Sequence, residues 1–170
     1  PEDNFANLPH FHAAFSKQPE PPALAGLKST LVVDACDALV SGEPIDIEQW
    51  RKRFTDAFLI KPEQAATLDL AGLILTVLEP AAQHLAPLIA ATRRRGARFP
   101  IDWERLTSAP MDHLSIILTS AKFLRARARV YIAQGNGDAA ARDLIYLFHL
   151  SRQLDNQPTW IQFLVRQSTL

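Results

Sequence analysis

The chain has 170 residues, of which 48% are hydrophobic and 8% aromatic, so it can bury a core built mainly of Leu, Ile, Val and Ala, and global disorder is excluded. Its 18 basic and 18 acidic side chains give a formal charge of zero, which argues against a dedicated nucleic-acid binder. The single cysteine, Cys36, allows neither an internal disulfide nor a cysteine-based zinc site.

The charge is unevenly spread. Residues 1–50 hold eight acids and two bases, and residues 51–170 hold ten acids and sixteen bases. Two halves that attract each other are the simpler reading, and a local anionic partner is the other. Only 6 Gly accompany 12 Pro, which leaves little turn chemistry for a sheet. Prolines placed where helices start, with helical periodicity in the apolar segments, predict an all-α fold of about six helices in antiparallel hairpins. No signal peptide is evident, and the longest apolar run, residues 68–78, is about half the ~20 residues that span a bilayer. A first residue Pro1 and a last residue inside an apparent helix predict a fragment of a longer protein, truncated at its C-terminal end.

Residues 1–22 read as an irregular N-terminal segment, and 23–170 as one helical domain. Pro9, Pro19, Pro21 and Pro22 oppose a long helix, while Phe5, Leu8, Phe11 and Phe15 can dock as a short apolar stripe. A helix is expected over 24–39, ended by Ser41-Gly42, with Cys36 on it as a buried inert thiol. Asp46 then caps a helix with Gln49 as its capping-box partner. The apolar face of that helix reads Trp50, Phe54, Ala57 and Phe58, and Arg51, Lys52 and Arg53 form its solvated side. Pro62 opens a central helix through Leu68, Leu73, Ile74 and Leu78, which Pro80 breaks or kinks. A further stretch carries Leu85, Leu88, Ile89 and Thr92 and closes on Arg93-Arg94-Arg95-Gly96.

Residues 97–109 read as a loop. Thr107 or Ser108 caps a long helix from Pro110 to about Gln134, with a face of Leu114, Ile117, Leu118, Ala121, Leu124, Ala128, Tyr131 and Ile132. Gly135-Asn136-Gly137 makes a tight turn, and Asp138 caps the next helix, which carries Ala140, Leu144, Leu147, Phe148 and Leu150. Pro158 opens a third, bearing Trp160, Ile161, Leu164 and Val165. Leu118, Leu124 and Leu144 are expected to be deeply buried.

The two helices around Gly135 resemble one tetratricopeptide-type hairpin. Leu124, Ala128 and Tyr131 match its first helix, and Gly135, Ala140 and Leu144 match its turn and second helix, over about one repeat period. Residues 94–170 also resemble a large family of uncharacterised bacterial proteins. The residues that carry the likeness are Arg98-Phe99-Pro100, Pro110-Met111-Asp112-His113-Leu114, Gly137-Asp138, Leu150-Ser151-Arg152-Gln153-Leu154, Pro158-Thr159-Trp160-Ile161 and Leu164-Val165-Arg166. Asn4-Phe5-Ala6 looks like the family's N-terminal element. The Pro-to-His spacing is longer here than in the family. The resemblance implies an exported, envelope-anchored helical protein whose membrane-spanning helix is not part of this chain, and it transfers no activity.

Among chemistry-bearing residues, Arg93, Arg94, Arg95 and Arg98 form the densest charge cluster. Guanidinium forks can clamp an anion, but arginines at a helix C-terminus also follow from the macrodipole. In the Arg98-Phe99-Pro100 loop, Pro100 pushes Phe99 toward extended backbone. Phe99 can then turn back onto the helices, and Arg98 can reach Asp102 or Glu104. Arg125, Arg127 and Arg129 read as flanks of a buried stripe, and Asp34 and Asp37 as a solvated face. His10, His12, His84, His113 and His149 offer no evident set of three or four ligands, so no metal is expected. Gly135, Gly137 and Asp138 follow a helix rather than a strand and form no nucleotide loop, and no catalytic motif or cofactor site is evident.

Two functional readings remain. The first is a noncatalytic protein-interaction or scaffold domain of a membrane-anchored envelope protein, with an unknown protein partner, no nucleic acid, and membrane contact only through the anchor. The second is a small-ligand or enzyme domain with Arg94, Arg95, Arg98 and His113 around an interhelical pocket. An enclosed polar pocket would favour the second, and an exposed apolar patch the first.

Overall fold

A computed structural model describes residues 4–9, 11, 29–94, 97, 99 and 112–154. Among these residues the fold is all-α. A 3-10 turn over Phe5–Asn7 precedes α1 (Thr30–Ser41), α2 (Ile47–Asp56), α3 (Pro62–Ala65), α4 (Leu70–Ala91), α5 (Asp112–Ala133) and α6 (Gly137–Arg152), and no strand occurs. The chain groups into two compact units. One comprises Pro1–Glu20, Leu85–Lys122 and Ile145–Leu170, and the other Pro21–His84 and Phe123–Leu144.

In the unit containing Pro21–His84, α1 begins at Thr30 because Ser29 has extended backbone. The helical start expected at 24–28 lies outside the described residues. Leu31, Val32, Ala35 and Cys36 are buried, and Gly42, at φ 73°, ends the helix in the left-handed conformation that favours glycine. The Asp46 carboxylate caps α2 by accepting the Gln49 backbone N–H at 3.1 Å. Trp50 and Phe54 are buried, but the expected apolar face stops there. The helix ends at Asp56, Phe58 takes φ 55°, and its ring is 95% exposed. The N–H groups of Phe58 and Leu59 donate to the carbonyls of Thr55 and Phe54, a Schellman closure with phenylalanine in the position that usually holds glycine.

The helix expected to run on from Pro62 is instead a single turn, with Pro62 at its start. The chain breaks over 66–69, and Asp69 restarts it by accepting the Gly72 N–H at 2.7 Å. Arg51, expected on a solvated side, holds this break. Its Nε and Nη2 donate to the Leu68 carbonyl at 3.2 and 2.9 Å, and its Nη1 reaches Glu48.

Neither Pro80 nor Pro87 ends α4, which runs unbroken as one 22-residue helix. Both prolines are exposed, so each missing bond falls on the solvent side, where the freed carbonyl can be hydrated. Leu70, Leu73, Ile74, Val77, Leu78, Ala81, Leu85 and Leu88 keep a buried face through both. By length and composition α4 is therefore long and apolar enough to cross a membrane, which the shorter expected run was not. Its continuous buried face is that of a core helix.

The hairpin of α5 and α6 closes on Gly135 at φ 71°. The Asn136 and Gly135 N–H groups donate to the Tyr131 and Ile132 carbonyls at 2.8 and 3.0 Å. Asn136, not Asp138, caps α6, its side chain accepting the Ala139 N–H. Asp138 sits in the first turn, where a negative charge suits the helix dipole. Small Ala128, Ala139 and Ala140 are buried along the seam with Leu124. Leu118 is only half-buried, and Leu144 is 41% exposed. The inward position beside Leu144 belongs to Asp143, which Arg127 draws in. Ile132, expected on the buried face of α5, is also exposed.

In the unit containing Leu85–Lys122, Phe5, Leu8, Phe11, Ala97 and Phe99 are buried, with Leu114, Ile117, Leu147 and Leu150 from the long helices. The 3-10 turn at Phe5 is capped by Asn4, whose side chain accepts the Ala6 N–H at 3.1 Å. Phe15 lies outside the described residues, as does the expected helix after Pro158.

Candidate functional site

Inside the first of these units, Phe99 stands at the centre of an aromatic cluster. Its ring lies 4.9 Å from Phe11, edge-on, 6.5 Å from Phe5, and stacks on the His113 imidazole at 4.3 Å. His113 is 0% exposed. Phe99 thus turns back onto α5, and the histidine serves packing rather than a solvent-open site. Arg95, Arg98 and Pro100 lie outside the described residues, as do Asp102 and Glu104.

At the C-terminal end of α4, an open groove of about 400 Å³ is lined by Pro87, Ala90, Ala91, Arg93 and Arg94. The end of the helix is tied down from two directions. Arg94 Nη1 donates to the Asn4 carbonyl at 3.2 Å, and the Arg93 guanidinium lies 5.8 Å from the Tyr146 ring centre. Gln153, which is buried, donates from Nε2 to the carbonyls of Thr92 and Arg94 at 2.8 and 3.0 Å. A side chain from just beyond α6 thereby satisfies two carbonyls of the turn that follows α4.

On α6 the buried positions Leu147, Leu150 and Ser151 face the core of this unit, while Ile145 and Phe148 are 49% and 58% exposed. The two lie three residues apart and so share a helix face. Arg152, one turn beyond Phe148, is exposed.

In the other unit the charged side chains form structural pairs. Arg127 donates from Nε and Nη2 to both oxygens of Asp143 at 2.7 and 2.6 Å. Its guanidinium lies 4.6 Å from the Phe123 ring and 6.0 Å from Tyr131. Asp34 and Asp37, expected on a solvated face, are ion-paired with Arg53 at 3.2 Å and with Arg129. Arg53 also covers Trp50 at 4.3 Å. Cys36 is buried and its Sγ faces the Ala126 carbonyl at 3.8 Å. Burial pushes the thiol up to about 11, with Arg129 pulling it down and Asp37 pushing it further up.

Among the described residues no cluster of three His, Cys, Asp or Glu side chains could hold a metal ion. His10 and His12 lie outside them. Reading the sequence did not find Asp143, Gln153 or the exposure of Ile145 and Phe148 on α6. Asp143 had a legible signal, since Arg127 and Asp143 stand eight residues before and eight after Gly135, opposite each other across a helical hairpin. No family model, curated protein or solved structure matches the chain.

Proposed function

We propose that this chain is a noncatalytic protein-interaction domain of a membrane-anchored envelope protein, and that Ile145 and Phe148 of α6 dock a partner protein. The observation that carries this is the exposure of two large apolar side chains on one face of a helix whose opposite face is buried. Exposed apolar residues clustered on a rigid element mark interaction sites. The tetratricopeptide-like reading of the hairpin agrees with the small residues buried along its seam. Envelope anchoring rests on the resemblance of residues 94–170. The ligand-pocket reading loses its histidine, because His113 is stacked inside the aromatic cluster and does not line the groove at Arg93 and Arg94.

The test uses Ile145→Ser and Phe148→Ser. As docking residues they should leave the thermal midpoint unchanged or slightly raised and remove partner binding. A midpoint lowered by more than several degrees would instead make them core residues.

A further inference from the structure

Arginine pairing differs sharply within this protein. Arg51, Arg53, Arg127 and Arg129 each meet a carboxylate. Arg93 and Arg94 meet none among the described residues. Their contacts are an aromatic face and a backbone carbonyl, neither of which neutralises a cation. Among the described residues these two adjacent guanidinium groups have no carboxylate beside them, in a groove also lined by Pro87, Ala90 and Ala91.

The same contacts restrict both side chains. The Arg93 guanidinium carbon lies 5.8 Å from the Tyr146 ring centre, and Arg94 is anchored through one nitrogen. Side chains held in place lose less entropy when they bind, which favours a charged partner. Arg93 lies near Tyr146 of α6, the neighbour of Ile145 in sequence, and Arg152 is a further exposed cation one turn beyond Phe148. The groove has a volume of about 400 Å³. Being open to solvent, it suits a few side chains of a chain laid across it better than an enclosed metabolite.

From this geometry we infer that the partner presents an acidic segment interleaved with large apolar residues, its carboxylates on Arg93 and Arg94 and its apolar side chains against Pro87, Ala90 and the α6 face. The inference rests on the docking reading above and names the chemistry of the partner. Charge complementarity sets the register, and the apolar contacts provide most of the affinity.

A phage-displayed library of random dodecamer peptides selected on the whole chain tests it. The selected peptides should combine Asp or Glu with Leu, Ile or Phe. Labelled copies should bind at least tenfold more weakly to Arg93→Glu, and more weakly as salt is raised from 50 to 300 mM. Arg93→Glu is the informative variant because Arg94 also holds the N-terminal turn. Selection of peptides without an acidic excess, equal binding to Arg93→Glu, or selection of no peptide at all overturns the inference. Peptides that lose binding to Phe148→Ser but not to Arg93→Glu would leave the docking face standing and remove the acidic partner.

Discussion

Arg127 and Asp143 are joined by two parallel hydrogen bonds across the α5–α6 hairpin, with the carboxylate almost fully buried and the guanidinium lying against Phe123. A buried charge that loses its partner is left desolvated. Asp143→Ala should therefore cost about 3 kcal/mol, and Arg127→Ala a similar amount. Arg127→Lys should recover only part of this, since an ammonium cannot make the planar double contact. The double variant Arg127→Met, Asp143→Leu should lie closer to the parent than either alanine variant. Denaturant unfolding of the four proteins decides it, and near-parent stability of Asp143→Ala would remove the pair from the core.

Cys36 is expected to react slowly with iodoacetamide at pH 8. A rise from 9.0 to about 11 leaves about a hundredfold less thiolate at that pH. The linkage has a definite sign. The folded state holds its proton more tightly than the unfolded state, so this thiol's contribution is constant below about pH 9 and is lost as pH rises from there through about 11. Comparing the alkaline limb of stability in the parent and in Cys36→Ala isolates it; identical limbs would contradict the burial.

Phe58 occupies a left-handed position with its ring in solvent. That conformation costs a non-glycine residue roughly 1–2 kcal/mol, while glycine loses about 0.5–1 kcal/mol more chain entropy on folding. Phe58→Gly should consequently be neutral or stabilising by up to about 1 kcal/mol in thermal unfolding. A clear loss of stability would show that the ring makes contacts that hold the fold.

Gln153 gives its amide N–H groups to the carbonyls beyond the end of α4. Gln153→Leu should cost about 1–3 kcal/mol by leaving buried acceptors without a donor. Gln153→Glu should be worse at pH 7 than at pH 4, because protonation restores one donor to the introduced carboxyl. Equal destabilisation at both pH values would contradict the capping role.

The parts of this fold governed by local chemistry were legible in the sequence. Gly42 and Gly135 mark helix ends, Asp46 and Pro62 mark helix starts, and the stripe from Leu114 to Ala128 marks a buried face. What could not be read depends on partners distant in sequence or on which way a helix turns. Asp143 displaces Leu144 from the inner face because Arg127 waits there. Pro80 fails to break α4 because it points to solvent. The break at 66–69 is secured by the Arg51 contact to Leu68. The groove arginines could be located, but only the structure shows that Arg51, Arg53, Arg127 and Arg129 have carboxylate partners while, among the described residues, Arg93 and Arg94 do not. Arg95 and Arg98 fall outside the described residues.

The proposed docking face is tested most directly by placing a photo-crosslinking amino acid at position 148 of the protein in the cells that make it, with position 115 as the exposed control on α5. A discrete adduct with a defined partner protein is expected from position 148 and not from 115, and it should disappear when Ile145→Ser is added. Adducts of equal yield from both positions, or none from 148, would contradict the assignment of α6 as the interaction surface.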